Sequence, residues 1–469
     1  MTEIRFGTDG WRGVIAADFT FANACIVAHA IARYVVRNED ARKGVFIGYD
    51  HRYAADRVAA AVAEVISASG TPVWLADKPC PTPAISYLVR HRGAAGGIVI
   101  TASHNPYRWN GIKYKASYGS SALPSIVAQI EQELELVLQK GVPPLPPRRE
   151  LIYPLEPRAP YLDALEKLVD WKRLHDANFR FVFDPMHGSA AGLLPKLFRR
   201  NGITCDEIRG TRDPRFGGVH PEPIEPHIEA LRQAVLAGKY DAGFCADGDG
   251  DRIGAIDRDG SFINPHQIFA LLVWHLAGTR NLPGDIAKTF SVTKLIDKLA
   301  AKFGRKLHEV PIGFKYICEL MLEQNILIGG EESGGIGTNL YLPERDATVS
   351  ALFLAELMVW NGKSLGELVA ALHAEFGEFH YGRVDLDLKP GQKEKAIAHF
   401  SNGKLNRILD LPVVYREDMD GIKVYLSDGG WVMLRASGTE NLLRVYCETS
   451  RPETTRRVLA AVTQMVHKL

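Results

Sequence analysis

Asp241-Ala242-Gly243-Phe244-Cys245-Ala246-Asp247-Gly248-Asp249-Gly250-Asp251-Arg252 joins a short apolar run to a loop in which acids alternate with glycine. The run 241–245 reads as a buried strand, and the chain turns polar where that strand ends. In α/β sheets, ligands sit beyond the carboxyl ends of strands. The same grammar recurs twice. The run 97–101 leads into Thr101-Ala102-Ser103-His104-Asn105-Pro106, and 326–328 leads into Gly329-Gly330-Glu331-Glu332-Ser333-Gly334-Gly335. Runs 45–49 and 180–184 also read as strands. Between the runs lie amphipathic helical patterns at 54–69, 126–139, 225–237 and 349–360. Buried strands alternating with helices predict an α/β architecture with largely parallel pairing.

A chain of 469 residues is too long for one core and allows roughly three domains of about 150 residues. Seven prolines fall within the twenty residues 141–160. Proline removes backbone donors and blocks helix interiors, so this stretch is expected to be an extended connector. Further breaks are expected near 258–265 and 377–382. Beyond them the pattern changes to a meander, 422–426, 431–434 and 443–447, closed by a helix at 452–468. The reading is four domains at 1–145, 155–258, 259–376 and 380–469, three of them α/β and the last a smaller α+β domain.

The formal net charge is +1, with 46% hydrophobic and 24% charged residues. That balance argues against nucleic acid or an anionic membrane as the main partner, because both call for a basic excess. The six cysteines, Cys25, Cys80, Cys205, Cys245, Cys318 and Cys447, form no CxxC pair. They read as reduced thiols, so neither a disulfide framework nor a zinc site is expected. No signal-peptide core opens the chain, and no run approaches the roughly 18 apolar residues of a membrane span. A soluble, cytoplasmic protein is expected, as a monomer or a dimer.

Three carboxylates at alternate positions, freed by glycine, can converge on one hard cation that prefers oxygen ligands. An EF-hand fails on spacing, since Arg252 and Arg258 stand where its glycine and glutamate belong. Arg252 beside a cation site makes sense if a phosphate lies between them. Ser103 in a loop at a strand end suits a nucleophile, and no GxSxG surrounds it to suggest a hydrolase. The acids and serine of 329–335 can accept hydrogen bonds from vicinal sugar hydroxyls. Arg435-Ala436-Ser437-Gly438-Thr439-Glu440-Asn441 offers a guanidinium fork and hydroxyl donors for phosphate. Two nucleotide motifs fail. Ile253 replaces the third glycine of a dinucleotide fingerprint begun by Gly248 and Gly250, and Leu357 replaces the first glycine of a P-loop ending in Gly362-Lys363-Ser364.

Together with the opening Phe6-Gly7-Thr8-Asp9-Gly10-Trp11-Arg12-Gly13, these four loops resemble the α-D-phosphohexomutase superfamily, the phosphoglucomutases and phosphomannomutases. The resemblance spans the whole chain, with the signatures in family order. It implies three mixed-sheet α/β domains and a smaller C-terminal α+β domain around a central cleft. It implies a phosphorylated Ser103 whose phosphate joins Asp247, Asp249 and Asp251 in holding Mg²⁺, with Arg252 on the phosphoserine. Glu331 and Ser333 would hold sugar hydroxyls. Arg435, Ser437, Gly438 and Thr439 would bind the phosphate that is not reacting, and Arg12 would line the cleft. Proton transfer falls to Lys113, which matches the family's lysine after the serine loop, with His104 and Lys315 as further candidates. A lysine base needs a lowered pKa, which neighbouring cations can provide.

The implied reaction interconverts hexose 1-phosphate and hexose 6-phosphate through a bound hexose 1,6-bisphosphate, which would also act as activator. A bisphosphate synthase, a metal-dependent phosphatase, a phosphomannomutase or phosphopentomutase on the same site, and a non-catalytic sugar-phosphate sensor are the rival readings. Relatives of the phosphomannomutase and phosphoglucosamine mutase type usually end the sugar loop with histidine, where this chain has Gly335. The form of the loop looks more like phosphoglucomutases and favours glucose phosphates. It leaves open which residue replaces that histidine.

Overall fold

A computed structural model describes residues 4–7, 9–142, 145–403, 405–436 and 441–469. The chain forms two compact units, Met1–Ala287 with Gly313–Gly366, and Lys288–Ile312 with Glu367–Leu469.

The first unit is built on sheets whose central strands are buried along their whole length. Every residue of Val45–Tyr49, Gly96–Ile100 and Ala242–Ala246 is buried, the pattern of strands covered on both faces. In the first sheet the order is Trp11–Val14, Trp109–Ala116, Gly96–Ile100, Val45–Tyr49, Val73–Ala76, Ile152–Leu155. Its last four strands run parallel, and the first two are antiparallel additions. The second sheet, Phe262–Ile263, Ile253–Asp257, Ala242–Ala246, Phe181–Asp184, Cys205–Glu207, is likewise mixed. A third set, Ile326–Gly330, Ile336–Thr338 and Leu342–Arg345, is an antiparallel meander.

In the second unit His380–Asp387, Leu442–Thr449, Trp431–Ala436, Ile422–Leu426, Leu411–Glu417 and Arg407–Ile408 form one antiparallel sheet. The helices Gln392–Ser401 and Pro452–Lys468 supply Phe400, Val458 and Val462 to its core. Phe290, from the segment 288–312, packs with Trp431, Met433 and Tyr446.

The strands at 45–49 and 422–426 and the helix at 452–468 fall where the pattern puts them. Residues 141–160 do not form a plain connector. Ile152–Leu155 is the edge strand of the first sheet, and Arg158–Leu165 is a helix. Pro154 is tolerated because an edge strand can spare an N–H, and Pro157 caps the helix while Pro160 lies in its first turn. The helix expected from 225 starts at Glu229, since Pro226 bars its predecessor from helical geometry. The break near 258 is a hairpin that returns Phe262–Ile263 to the second sheet before Asn264 caps the next helix. All six cysteines are unpaired, and among the described residues no helix is long and apolar enough to cross a membrane.

Gly10 fixes how the opening segment meets the strand that bears Lys113. Its φ is +88°, and a Cβ there would stand 2.3 Å from the Ile112 carbonyl oxygen and 2.9 Å from Lys113 Cα. Gly10→Ala is therefore expected to lower stability by about 1–3 kcal/mol. Urea denaturation measures this, and an unshifted midpoint would mean that the contact is looser than described.

Candidate active site

The strand Ala242–Ala246 delivers Asp247 at its carboxyl end, and Gly250, at φ +76°, turns the loop back toward Ile253. Asp247 Oδ1 accepts the backbone N–H groups of Asp251 and Arg252 at 2.9 and 3.1 Å. The loop thus wraps around its own first carboxylate. Gly248 has a separate function: a Cβ there would lie 2.5 Å from the Ser103 carbonyl oxygen. Glycine lets the serine loop approach.

Ser103 follows the strand Gly96–Ile100 and has φ +54°, a left-handed conformation that serine adopts only when its surroundings enforce it. The enforcing group is Arg52, wholly buried and paired with Asp50 at 3.1 Å. Its guanidinium donates to the carbonyl oxygens of Ser103 (2.6 Å), Asn105 (2.7 Å), Pro106 (3.0 Å) and Trp109 (2.8 Å). Thr101 Oγ1 donates to Asp50 at 2.6 Å and accepts from the Ser103 N–H at 2.9 Å. So held, Ser103 Oγ donates to Asp247 Oδ2 at 2.6 Å, with His104 Nδ1 3.5 Å from the same serine oxygen.

Asp247, Asp249 and Asp251 are fully buried, and one oxygen of each lies within 4.8 Å of the others. Asp249 Oδ2 receives Thr82 Oγ1 at 2.5 Å and Lys113 Nζ at 2.8 Å. Asp251 Oδ2 receives Lys113 Nζ at 3.0 Å and Arg345 Nη2 at 2.7 Å. The second oxygens, Asp249 Oδ1 and Asp251 Oδ1, are buried without a hydrogen-bond partner. Buried carboxylate oxygens are expensive to leave unpaired. Two such orphans beside a third acid fit a hard, oxygen-loving cation such as Mg²⁺.

The third sheet contributes the loop 329–335. Glu331 N–H donates to Gly335 O at 3.0 Å, and Ile253 N–H to Gly334 O at 3.0 Å, which docks this loop on the acid loop. Glu331 Oε2 meets Arg345 Nη1 at 3.1 Å, and Arg345 Nη2 also meets Asp9 at 2.7 Å. Lys113 completes the cluster with a 2.9 Å contact to Asp9.

The electrostatics follow from burial and like-charge crowding. Burial, with Asp249 and Asp251 alongside, pushes Asp247 well above the usual carboxylate range. Burial acts the same way on Asp249, but the Lys113 ammonium outweighs it and holds that acid below its usual range. Burial disfavours the Lys113 cation, yet Asp249, Asp251 and Asp9 more than compensate and raise its pKa. The neighbours of Lys113 are therefore mostly carboxylates, and its pKa moves opposite to the direction a lysine base needs. His104 is held neutral, first by burial and then by Arg252, Arg12, Lys113 and Arg52. Burial raises Glu331 despite Arg345.

The structure thus brings together Ser103, His104, Lys113, Asp247, Asp249, Asp251 and Glu331. Arg252 lies at the rim, 4.0 Å from Asp251 and 3.9 Å from Glu222. Arg12 donates to Asn105 Oδ1 at 2.6 Å. Ser333 is half-buried in the loop 329–335. Lys315 is not drawn into the acid cluster by any described hydrogen bond; its ammonium lies 5.3 Å from the Tyr316 ring centroid. Arg435 belongs to the second unit, where it donates to Asp420 at 2.9 Å. Ser437, Gly438 and Thr439 lie outside the described residues.

Sequence reasoning missed Asp9, Arg345, Thr82 and Arg52. Asp9 sits inside the opening motif, where only Arg12 received a role. Arg345 ends the strand Leu342–Arg345, and nothing local in Leu342-Pro343-Glu344-Arg345 marks it as a site residue.

Mg²⁺ at about a hundred times its dissociation constant should stabilise the chain by about 2.7 kcal/mol. Asp249→Ala should abolish that increment. Urea unfolding with and without the ion measures both, and an equal increment in the variant would remove Asp249 from the metal site.

Four models of one family match the chain. They are described as phosphoglucomutase/phosphomannomutase alpha/beta/alpha domain I (residues 3–139), domain II (159–260), domain III (264–376) and the C-terminal domain (398–465). The phosphoglucomutase/phosphomannomutase of Thermococcus kodakarensis is 28% identical over 97% of this chain and 96% of its own. The phosphoglucosamine mutase of Delftia acidovorans is 31% identical over 96% and 95%. The crystal structure of a putative phosphomannomutase from Thermus thermophilus superposes with a TM-score of 0.87, at 32% identity and 99% coverage of both chains. With all four domains present in order and homologues that are mutases, this chain belongs to the phosphoglucomutase/phosphomannomutase family, the α-D-phosphohexomutase enzymes.

Proposed function

We propose that the chain interconverts hexose 1-phosphates and hexose 6-phosphates, with glucose phosphates as the preferred pair, by carrying the phosphoryl group on Ser103. The observation that supports this most is the Ser103 hydroxyl, 2.6 Å from Asp247 and inside the acid triad. Asp247, Asp249, Asp251 and the esterified Ser103 would hold Mg²⁺, which when bound supplies positive charge against the phosphoryl oxygens.

In the first half-reaction the bond from phosphorus to Ser103 Oγ breaks, and a new one forms to the free hydroxyl oxygen of the bound sugar phosphate. The sugar hydroxyl gives up a proton as it is phosphorylated, and the serine oxygen takes one as the phosphoryl group leaves it. The resulting hexose 1,6-bisphosphate turns, and the second half-reaction returns its other phosphoryl group to Ser103. His104 Nδ1 lies 3.5 Å from Ser103 Oγ; burial and four neighbouring cations make it a weak base, so it would relay the proton from the sugar hydroxyl to the serine oxygen in one concerted step and not store it. Lys113, held cationic, fixes Asp249 and Asp251 and offsets negative charge as it develops. Glu331 and Ser333 take the sugar hydroxyls, Arg252 and Arg12 the reacting phosphate. In the second unit Arg435 keeps the phosphate-binding role its loop implies. Glucose phosphates are preferred because Gly335 stands where the phosphomannomutase and phosphoglucosamine mutase types usually carry histidine.

Ser103→Ala should reduce mutase turnover by about a thousandfold or more and should take up no label from ³²P-labelled glucose 1,6-bisphosphate. Near-normal turnover or labelling of the variant would refute the carrier. The same assay on glucose, mannose, glucosamine and ribose 1-phosphates tests the sugar. Faster turnover of any sugar phosphate other than glucose would overturn the glucose assignment.

A further inference from the structure

Gly335 ends the sugar loop with a φ outside the left-handed region, so its backbone does not call for glycine. What excludes a side chain there is Arg345. A Cβ on Gly335 would stand 2.4 Å from Arg345 Cδ, 3.3 Å from its Cγ and 3.0 Å from Glu331 Oε2. Arg345 has no freedom to yield. It is only 5% exposed, its Nη2 is held by Asp9 and Asp251 at 2.7 Å each, and its Nη1 is held by Glu331 at 3.1 Å. Its guanidinium also lies 5.6 Å from the Phe314 ring centroid. The backbone position is fixed too, because Arg345 pairs with Gly337 across the meander, two residues from Gly335. The Nε–H of Arg345 is buried without a hydrogen-bond partner.

Resting on the mutase reading above, we propose that Gly335 and Arg345 are a reciprocal pair. Arg345 enters from the neighbouring strand into the volume that a side chain at 335 would fill, and there it is the positioning residue for the sugar. It aims Glu331, the acid assigned to the sugar hydroxyls, and ties it through Asp251 to the metal triad. The free Nε–H is left as a donor for a hydroxyl or phosphate oxygen of the sugar phosphate. A lysine would not serve equally, since one ammonium cannot span Asp9, Asp251 and Glu331 with the geometry of a planar fork.

The test compares G335H, R345A, R345K and the double variant G335H/R345A, reading kcat and KM for glucose 1-phosphate and the thermal midpoint. R345A should raise KM by about tenfold or more with a smaller change in kcat, and R345K should recover only part of that loss. G335H should lose kcat/KM by about tenfold or more and lower the midpoint, because the imidazole and Arg345 compete for one space. In the double variant both quantities should rise above those of G335H, a non-additivity that independent sites do not show. R345Q takes the place of R345A should the latter not fold. An unchanged KM in R345A, full recovery by R345K, or additive losses in the double variant would overturn the proposal. If the wild-type chain turns over no hexose phosphate, the mutase reading fails by itself, and the midpoints of the cycle still decide the reciprocal pair.

Discussion

Three carboxylates buried within 4.8 Å of one another set the terms for everything around them. At that separation and an effective dielectric of about 20, each pair of charges repels by about 3.5 kcal/mol. No globular fold tolerates this without compensation. The structure supplies it from outside the loop: Lys113 from the first sheet and Arg345 from the meander. The compensation is incomplete. Each cation takes oxygens on one side of the triad, which leaves Asp249 Oδ1 and Asp251 Oδ1 bare and Asp247 inclined to hold a proton. A site left in this state could hold a divalent ion, which would displace a proton and meet two carboxylate oxygens that have no hydrogen bond.

The same constraint explains why the loops of three sheets interlock in the first unit. Thr82 N–H donates to Asp249 O at 2.9 Å, Ala347 N–H to Gly250 O at 3.1 Å, and Ile253 N–H to Gly334 O at 3.0 Å. These are backbone bonds between separate domains of the family, made at the carboxyl ends of strands where helix-flanked sheets leave room for ligands. The acid loop is therefore clamped on both sides by neighbours that also carry its counter-charges. Gly248 and Gly334 mark the two closest approaches, since a Cβ at either would lie within 2.6 Å of a backbone oxygen.

Much of this was legible in the sequence because the signals were local. Asp247 to Arg252 and Thr101 to Pro106 each follow an apolar run, and strand plus turn chemistry sufficed to place them. What escaped depends on long-range contact. Asp9 and Arg345 are 336 residues apart in the chain, and no periodicity links them. Ile152–Leu155 was hidden by its prolines, because a rule that bars proline from strands does not distinguish an edge from a centre. The behaviour of Lys113 was misjudged for a related reason. Its sequence neighbours do not reveal that three acids from two other segments surround it. Charge environments are tertiary facts, and a motif carries them only when a family resemblance does.

The serine and acid loops are held differently, and that difference suits the proposed chemistry. Ser103 is strained, and its strain is held by Arg52, which donates to four backbone carbonyls and pairs with the buried Asp50. The position of the proposed carrier is thus fixed before any cation or substrate arrives. The acid loop is the opposite: its backbone is pinned, but its charge balance is left unfinished. Preorganising the nucleophile while leaving the counter-charge variable lets the same oxygen meet a phosphoryl group in either direction of transfer. A mutase needs that symmetry. An ordinary hydrolase, whose covalent intermediate is released by water, does not.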